Sequence, residues 1–408
     1  MRKKSYLITL LCTFFFVQNL KAQCAGGRYM DEIFPSFTMD SVTYSTPYSL
    51  KMDIYQPTGD TLAARPLIIV AHGGSFIGGT REDDVACDSI CWRFAKRGYV
   101  TASIDYRLAN PLSMFSTDST QAITEVMQSV SDGKAAIRYF VQDAATTNTY
   151  RIDTNNIFIG GNSAGSVLYM QVGYLDSIGE CDAVVQSIMA ANGGFEGNSG
   201  NAGYTTKSKA IINLAGGLNE VSFAGPGDKP SVNCQGSDDI IVPYTCGYPN
   251  FNTPAAPVNV LVTLCGLGSL EPQYDAVGIY HMSHVFPGDG HVPWDSDPVK
   301  YNTVDSLVNI FLYNMVCTNV ASVNTVNINT KVSLFPNPAS DLLNMNASAD
   351  VGEIMLYDET GRMVFHADGI NKSSYEINIS RFPKGLYFVK MYFSDPDNTP
   401  QVQRVVIE

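Results

Sequence analysis

The pentapeptide Gly161-Asn162-Ser163-Ala164-Gly165 is a G-x-S-x-G run between a short apolar strand and a helical segment. Glycines on both sides of a serine permit a tight, strained turn that pushes the hydroxyl out above a sheet. A serine hydroxyl is a weak nucleophile at neutral pH and must pass its proton to a base within hydrogen-bond reach. The chain holds five histidines. His72 and His366 are in the wrong places for that base, which leaves His281, His284 and His291, all after the serine. Phe286-Pro287-Gly288-Asp289-Gly290-His291 is a glycine-flanked loop following a strand, so His291 is expected to project over the sheet edge as the base. His284 is expected in the strand or on the surface. The spacing of these histidines fits none of the zinc-protease helix patterns, so no metal is expected, and no other cofactor.

An imidazole base needs a carboxylate to fix its tautomer and stabilise the imidazolium that forms. Gly236-Ser237-Asp238-Asp239-Ile240-Ile241-Val242-Pro243 follows a strand ending at Cys234, with Asp239 the expected partner and Asp238 the alternative. Upstream, His72-Gly73-Gly74-Ser75-Phe76 follows another strand. Small residues there let backbone N–H groups approach a reacting carbonyl, so the amides of Gly74 and Ser75, with that of Ala164, are expected to hold an oxyanion. His72 is expected to brace the loop. A phosphate-cradling reading of the same glycines lacks the following Gly-Lys-Ser/Thr and a ribose-binding acid. The chemistry such a set would support is acyl transfer through a serine, and since the base must be neutral, activity is expected to fall below roughly pH 6 to 7.

Loops of this kind need strands that end side by side. Between Gln23 and about Thr318, short β-branched runs alternate with longer helical-period segments, the pattern of helices covering both faces of a mostly parallel sheet. Strands are expected at Leu67 to Ala71, Tyr99 to Asp105, Ile157 to Ile159, Ala210 to Leu214, Ser231 to Cys234 and near Ile279 to Phe286, with Leu50 to Tyr55 an antiparallel edge strand. Helices are expected at Asp83 to Arg97, Gln121 to Asp143 with Gly133 a weak spot, from Ser163 to about Leu175, and at Asp297 to Cys317. From Asn319 the chain carries no charge until Lys331 and reads as a linker. Beyond it the period changes to two: Tyr375, Ile377 and Ile379 alternate with polar residues, and Tyr387, Val389, Met391 and Phe393 share one face. The stretch from about Lys331 to Glu408 is expected to be a small all-β sandwich.

The chain has 408 residues, with 26 Lys+Arg against 39 Asp+Glu and a formal net charge of −13. No basic stripe exists to neutralise phosphates, which argues against a nucleic-acid partner and against a polybasic membrane-surface role. Arg2, Lys3 and Lys4 precede an apolar run from Tyr6 to Val17, and Leu20-Lys21-Ala22 offers a small residue before Gln23, so residues 1–22 are expected to be a cleaved signal peptide. The run falls short of the ~20 residues that span a bilayer, and no other stretch is long and apolar enough. Gln23 before Cys24 disfavours a lipid anchor there. Eight of the nine cysteines lie beyond the signal, and an even number outside the cell suggests disulfides. A direct Cys87–Cys91 bridge would distort the helix that carries both.

Together these motifs resemble the α/β-hydrolase superfamily, in its secreted carboxylesterase/lipase branch with an HGGxF-type loop and a GxSAG turn. The resemblance covers about Thr38 to Cys317 and includes Leu50-Lys51-Met52-Asp53-Ile54-Tyr55-Gln56-Pro57 and Ile104-Asp105-Tyr106-Arg107-Leu108. It implies Ser163 as nucleophile, Asp239 as acid and His291 as base, in the chain order usual for the class, acting on feruloyl, acetyl or other short-acyl esters, small or polysaccharide-linked. The Gly/Asn-rich stretch from Gly193 to Gly227 matches no lid of that family. The tail resembles a type A sorting domain of the type IX secretion system, through Phe335-Pro336-Asn337-Pro338-Ala339, Leu356-Tyr357-Asp358-Glu359-Thr360-Gly361-Arg362 and Pro383-Lys384-Gly385-Leu386-Tyr387. That implies export through this machinery to the medium or the outer surface. The expected order is signal peptide 1–22, hydrolase domain 23–318, linker 319–330 and sorting domain 331–408. A serine peptidase on the same scaffold and a non-catalytic surface-binding protein are the alternative readings.

Overall fold

A computed structural model describes residues 24–252, 257–318, 332–358, 362–395 and 401–408. The expected signal peptide and linker lie outside the described residues. The chain divides into two compact units, residues 1–319 and 320–408.

The first unit is built on an eight-stranded sheet in the order β1-β2-β4-β3-β5-β6-β7-β10. β1 (Phe37–Ser45) and β2 (Leu50–Pro57) are antiparallel, as are β2 and β4, and every pairing from there to β10 is parallel. β3 (Arg65–Ala71) and β4 (Val100–Ile104) are buried along their whole length, which is why they read as continuous apolar runs without alternation. β5 is Ile152–Asn162, β6 Ala210–Leu214, β7 Ser231–Gly236 and β10 His281–Phe286. A separate pair, β8 (Asn250–Asn252) and β9 (Pro257–Asn259), forms an antiparallel excursion before β10.

The strand order decides which loops meet. Ala71 of β3 lies opposite Gly161 of β5, so the His72 loop and the Ser163 turn leave the sheet as neighbours. Gly236 of β7 lies opposite Phe286 of β10, so the loops carrying Asp239 and His291 also leave together. β4 flanks β3 on one side and β5 on the other, so successive crossovers run in opposite directions there. Open α/β sheets bind ligands outside the carboxyl ends of strands at such a reversal.

The helices are α1 (Val85–Arg97), α2 (Pro111–Met114), α3 (Ser119–Ala145), α4 (Ala164–Tyr174), α5 (Ala183–Ala191), α6 (Leu267–Val277) and α7 (Pro298–Cys317). Asp84 caps α1 by accepting the Cys87 amide, and Gly98 ends it in the left-handed conformation. All residues of α4 are buried. The buried Arg97 guanidinium makes two bonds, of 2.9 and 2.7 Å, to Asp305, joining α1 to α7.

Three expectations need correction. The strand over Leu50 to Tyr55 is not an edge: β1 covers it, and the largely exposed β1 has too little apolar alternation to be seen in the sequence. Gly133 does not weaken α3, which runs unbroken through it. A Cβ there would stand 2.5 Å from Leu168 Cδ2, so the glycine lets α3 approach α4. β5 begins at Ile152, five residues before its apolar stretch.

The Gly/Asn-rich segment is strapped to α3. Lys134 Nζ donates to Phe195 O at 2.6 Å, Arg138 to Glu196 O and Gly200 O, and Ser199 Oγ to the buried Asp132. Two disulfides form, Cys24–Cys317 and Cys246–Cys265, while Cys87, Cys91, Cys181 and Cys234 are buried free thiols. A lipid on Cys24 is incompatible with the first bridge.

The second unit is all antiparallel: β11 (Val332–Phe335), β12 (Leu342–Asp358), β13 (Met363–Ala367), β14 (Lys372–Asn378), β15 (Gly385–Phe393) and β16 (Gln401–Ile407). The long β12 serves both halves. Its first part pairs with β11 and β14, and its second with β13 and β15, across an irregularity between Asn346 and Val351. Tyr387, Val389, Met391 and Phe393 are buried on one face with Leu343, Ile354, Leu356 and Ile377.

The Cys24–Cys317 bridge closes a loop of 293 residues. Replacing both cysteines by serine is expected to lower the stability of the first unit by about 2–5 kcal/mol, read as a lower urea midpoint.

Candidate active site

Ser163 sits at φ 53° and ψ −117°, between the end of β5 and the first turn of α4. For a residue with a side chain this is a costly backbone conformation, and the surroundings hold it there. Its amide donates to Leu214 O at 2.8 Å, and its carbonyl accepts the Val167 amide at 2.9 Å. A Cβ at Gly161 would stand 2.3 Å from Ala71 O and one at Gly165 only 1.9 Å from it, so the turn presses directly on the end of β3 and admits only glycine at both places.

The Ser163 hydroxyl lies 2.7 Å from His291 Nε2. On the other side of the ring, Nδ1 lies 2.8 Å from Asp239 Oδ2. A carboxylate facing Nδ1 keeps the proton on that nitrogen, which leaves the Nε2 lone pair to accept from the serine. Asp239 is 3% exposed and satisfied as an acceptor: Oδ1 takes the amides of Ile241 and Val242 at 3.0 and 3.1 Å, and Oδ2 also takes Gln235 Nε2 at 3.2 Å. Asp238 points elsewhere and accepts from the Ser237 hydroxyl. His284 packs against Phe286, His281 lies toward Glu271 and Asp275, and His366 bonds Glu353 in the second unit. Among the described residues no cluster of His, Cys, Asp or Glu is placed to hold a metal ion.

The loop after β3 is pinned by three contacts, two from Tyr106 and one from Asp84. The His72 ring stacks on Tyr106 with centroids 4.3 Å apart, the Tyr106 hydroxyl donates to His72 O at 2.9 Å, and the Gly73 amide donates to Asp84 Oδ2 at 2.8 Å. Burial lowers the His72 pKa, consistent with a neutral packing role. Gly74 takes φ 110°, and a Cβ there would collide with Gly78 O at 2.2 Å. Among the described residues, the amides of Gly74, Ser75 and Ala164 donate to no protein acceptor. They are available to a ligand beside Ser163.

Two cavities meet at Ser163 and Ser75. The larger, about 520 Å³, is walled mainly by apolar side chains, among them Phe76, Met114, Val126, Val167, Phe223 and Phe251. The segment between Cys246 and Cys265 supplies one wall, stapled at its base by their disulfide. Of the Gly/Asn-rich stretch, only Asn219, Glu220, Ser222 and Phe223 reach this cavity. The smaller, about 290 Å³, carries Thr80, Asp83, Asp84, Asn162 and Asp295 with His72 and His291.

The BD-FAE family model matches residues 52–233, and the secretion system C-terminal sorting domain model matches residues 333–408. The chain carries a BD-FAE esterase domain and a secretion-system sorting domain. No curated protein matches. Among solved structures, an esterase from the Planctomycetes species Thermogutta terrifontis is 18% identical, with 70% of this chain and 95% of that one covered and a TM-score of 0.49. A truncated carbohydrate esterase from gut microbiota is also 18% identical, covering 70% and 98%, with a TM-score of 0.48. The sorting domain marks the esterase for export to the medium or the outer surface. No helix among the described residues is long and apolar enough to cross a membrane.

The site also contains polar groups that sequence reasoning missed. Asp84 both caps α1 and holds the Gly73 amide. Asn162 Nδ2 lies 3.2 Å from Asp84 Oδ2 and 3.4 Å from Asp295, while Asn162 Oδ1 accepts from the buried Trp294 Nε1 at 3.2 Å. An acid immediately before a helix looks like a cap only, and Trp294-Asp295 carries no motif signal. Desolvation, reinforced by the neighbouring Asp84, pushes the Asp295 carboxyl up to about 6 from 3.8. Such a group opposes folding once ionised, fully above pH 6 and not at all below pH 3.8. Asp295→Asn is therefore expected to raise the urea midpoint at pH 8, with the gain shrinking as pH falls through 6 and vanishing below 3.8.

Proposed function

We propose that this esterase works through an acyl-enzyme, with Ser163 as nucleophile, His291 as general base and acid, and Asp239 holding the imidazole. The observation that carries this is the unbroken chain from Ser163 Oγ through both ring nitrogens to Asp239, at 2.7 and 2.8 Å. Ser163 Oγ attacks the ester carbonyl while its proton passes to Nε2. The carbonyl oxygen becomes an oxyanion held by the amides of Gly74, Ser75 and Ala164, each donor of this kind contributing about 3 kcal/mol in the transition state. Collapse expels the alcohol, which takes the proton from Nε2. Water, activated by the same nitrogen, then releases the acid and restores the serine.

The apolar cavity suits the acyl group and is far roomier than an acetyl methyl requires, favouring feruloyl or similar bulky acyl groups over acetyl. The smaller cavity offers carboxylates and hydroxyls to the alcohol, which fits a sugar of a polysaccharide-linked ester. Ser163→Ala is expected to lower kcat on p-nitrophenyl esters at least ~10⁴-fold with its fold unchanged. Across a panel from acetyl to long-chain p-nitrophenyl esters, methyl ferulate and acetylated xylan, kcat/KM is expected to be highest for the bulkier acyl groups. Turnover surviving in Ser163→Ala contradicts the mechanism, and a preference for acetyl contradicts the cavity assignment.

A further inference from the structure

α4 runs away from Ser163 along the wall of the apolar cavity. Ala164, Val167, Gln171 and Leu175 recur at the three- and four-residue spacing of one helix face, and all four line that cavity. The opposite face packs on the sheet, where Gly173 abuts Ile211 so closely that a Cβ would stand 2.3 Å from Ile211 Cδ1. Three of the four lining positions are apolar. Gln171 is the exception.

Gln171 is only 5% exposed, and its side-chain amide has no hydrogen-bond partner among the described residues. Its amide atoms are also absent from the buried groups sealed off without a partner, so the little surface it keeps opens to the cavity it lines. A primary amide held this way has lost bulk water on most sides and gained nothing from the protein, an arrangement that is unfavourable unless a ligand completes it.

Its position sets the reach of that ligand. Eight residues of helix place the Gln171 Cα about 12 Å along the axis from Ser163. Side chains on a helix lean toward its N-terminus, which brings the amide back to roughly 8 Å from the serine. We infer that Gln171 is a specificity-determining residue that hydrogen-bonds a polar substituent at the far end of the acyl group. The acyl class it selects is one with an apolar body and a hydroxyl or ether oxygen about 8 Å from the carbonyl carbon, as standard bond lengths give for a 4-hydroxyphenylpropenoyl group. Either the amide N–H or the amide O can serve, so the substituent can accept or donate. The inference rests on the apolar cavity being the acyl site.

The test uses a matched pair, methyl 4-hydroxycinnamate and methyl cinnamate, which differ only in the distal hydroxyl. The full chain is expected to favour the hydroxylated ester about tenfold in kcat/KM. Gln171→Leu is expected to bring that ratio to near 1 or below, and Gln171→Glu to keep part of the preference. Gln171→Met, close in length and shape, serves as a second loss variant, and thermal melts establish that each is folded. In parallel, the free acids are titrated onto Ser163→Ala with and without Gln171→Leu, a readout independent of turnover. A ratio near 1 in the parent, or one that Gln171→Leu and Gln171→Met leave unchanged, overturns the role of Gln171. Absence of turnover on both esters tells instead against the proposed mechanism, and the binding ratio then decides the Gln171 assignment by itself: a shift of about tenfold supports it, and no shift refutes it.

Discussion

The site depends on a contact between two pieces of backbone. Gly165 and Gly161 rest against the carbonyl of Ala71, at distances where any Cβ would overlap it. That approach seats the first turn of α4 on the end of β3, and with it the Ser163 backbone in a conformation that isolated peptides avoid. The same contact places Ser163 next to the loop that starts at His72, so the hydroxyl and the free amides of that loop share one corner of the sheet. Packing at the interior therefore sets the geometry at the surface.

Everything else around Ser163 keeps that corner rigid. The imidazole is held between the serine and a carboxylate whose remaining lone pairs are taken by two amides and Gln235. The glycine loop is held by Tyr106 from behind and by Asp84 from the side. Because Asp84 also caps α1, one carboxylate ties the start of that helix to the Gly73 amide. Of the two flanking cavities, one is walled mainly by aliphatic and aromatic side chains and the other carries Asp83, Asp84 and Asp295. An ester laid across Ser163 meets different chemistry on its two sides.

Much of the scaffold is visible in the sequence because its physics is local. Buried parallel strands are unbroken apolar runs, and the loops that follow β3, β5, β7 and β10 carry glycines at the turns. The positions of Ser163, Asp239 and His291 in such loops can be read this way, although their convergence depends on strand order, which no local pattern encodes. β1 escaped because it is an edge with one face wet and little alternation. Gly133 was misread because a glycine's local tendency to break a helix says nothing of the Leu168 side chain that fills its place. Asp84, Asp295 and Gln171 could not be recognised at all. Asp84 reaches Gly73 across the loop and Asn162 from 78 residues away, Asp295 meets Asn162 from 133 residues away, and Gln171 faces an empty volume, all of which exist only once the chain is folded.

The Cys24–Cys317 bridge joins the first described residue of the esterase to the last residue of α7, immediately before the tail begins. α7 therefore cannot fray from its C-terminal end without carrying residue 24 with it, so the last helix of the esterase and the start of its described chain are held or lost together.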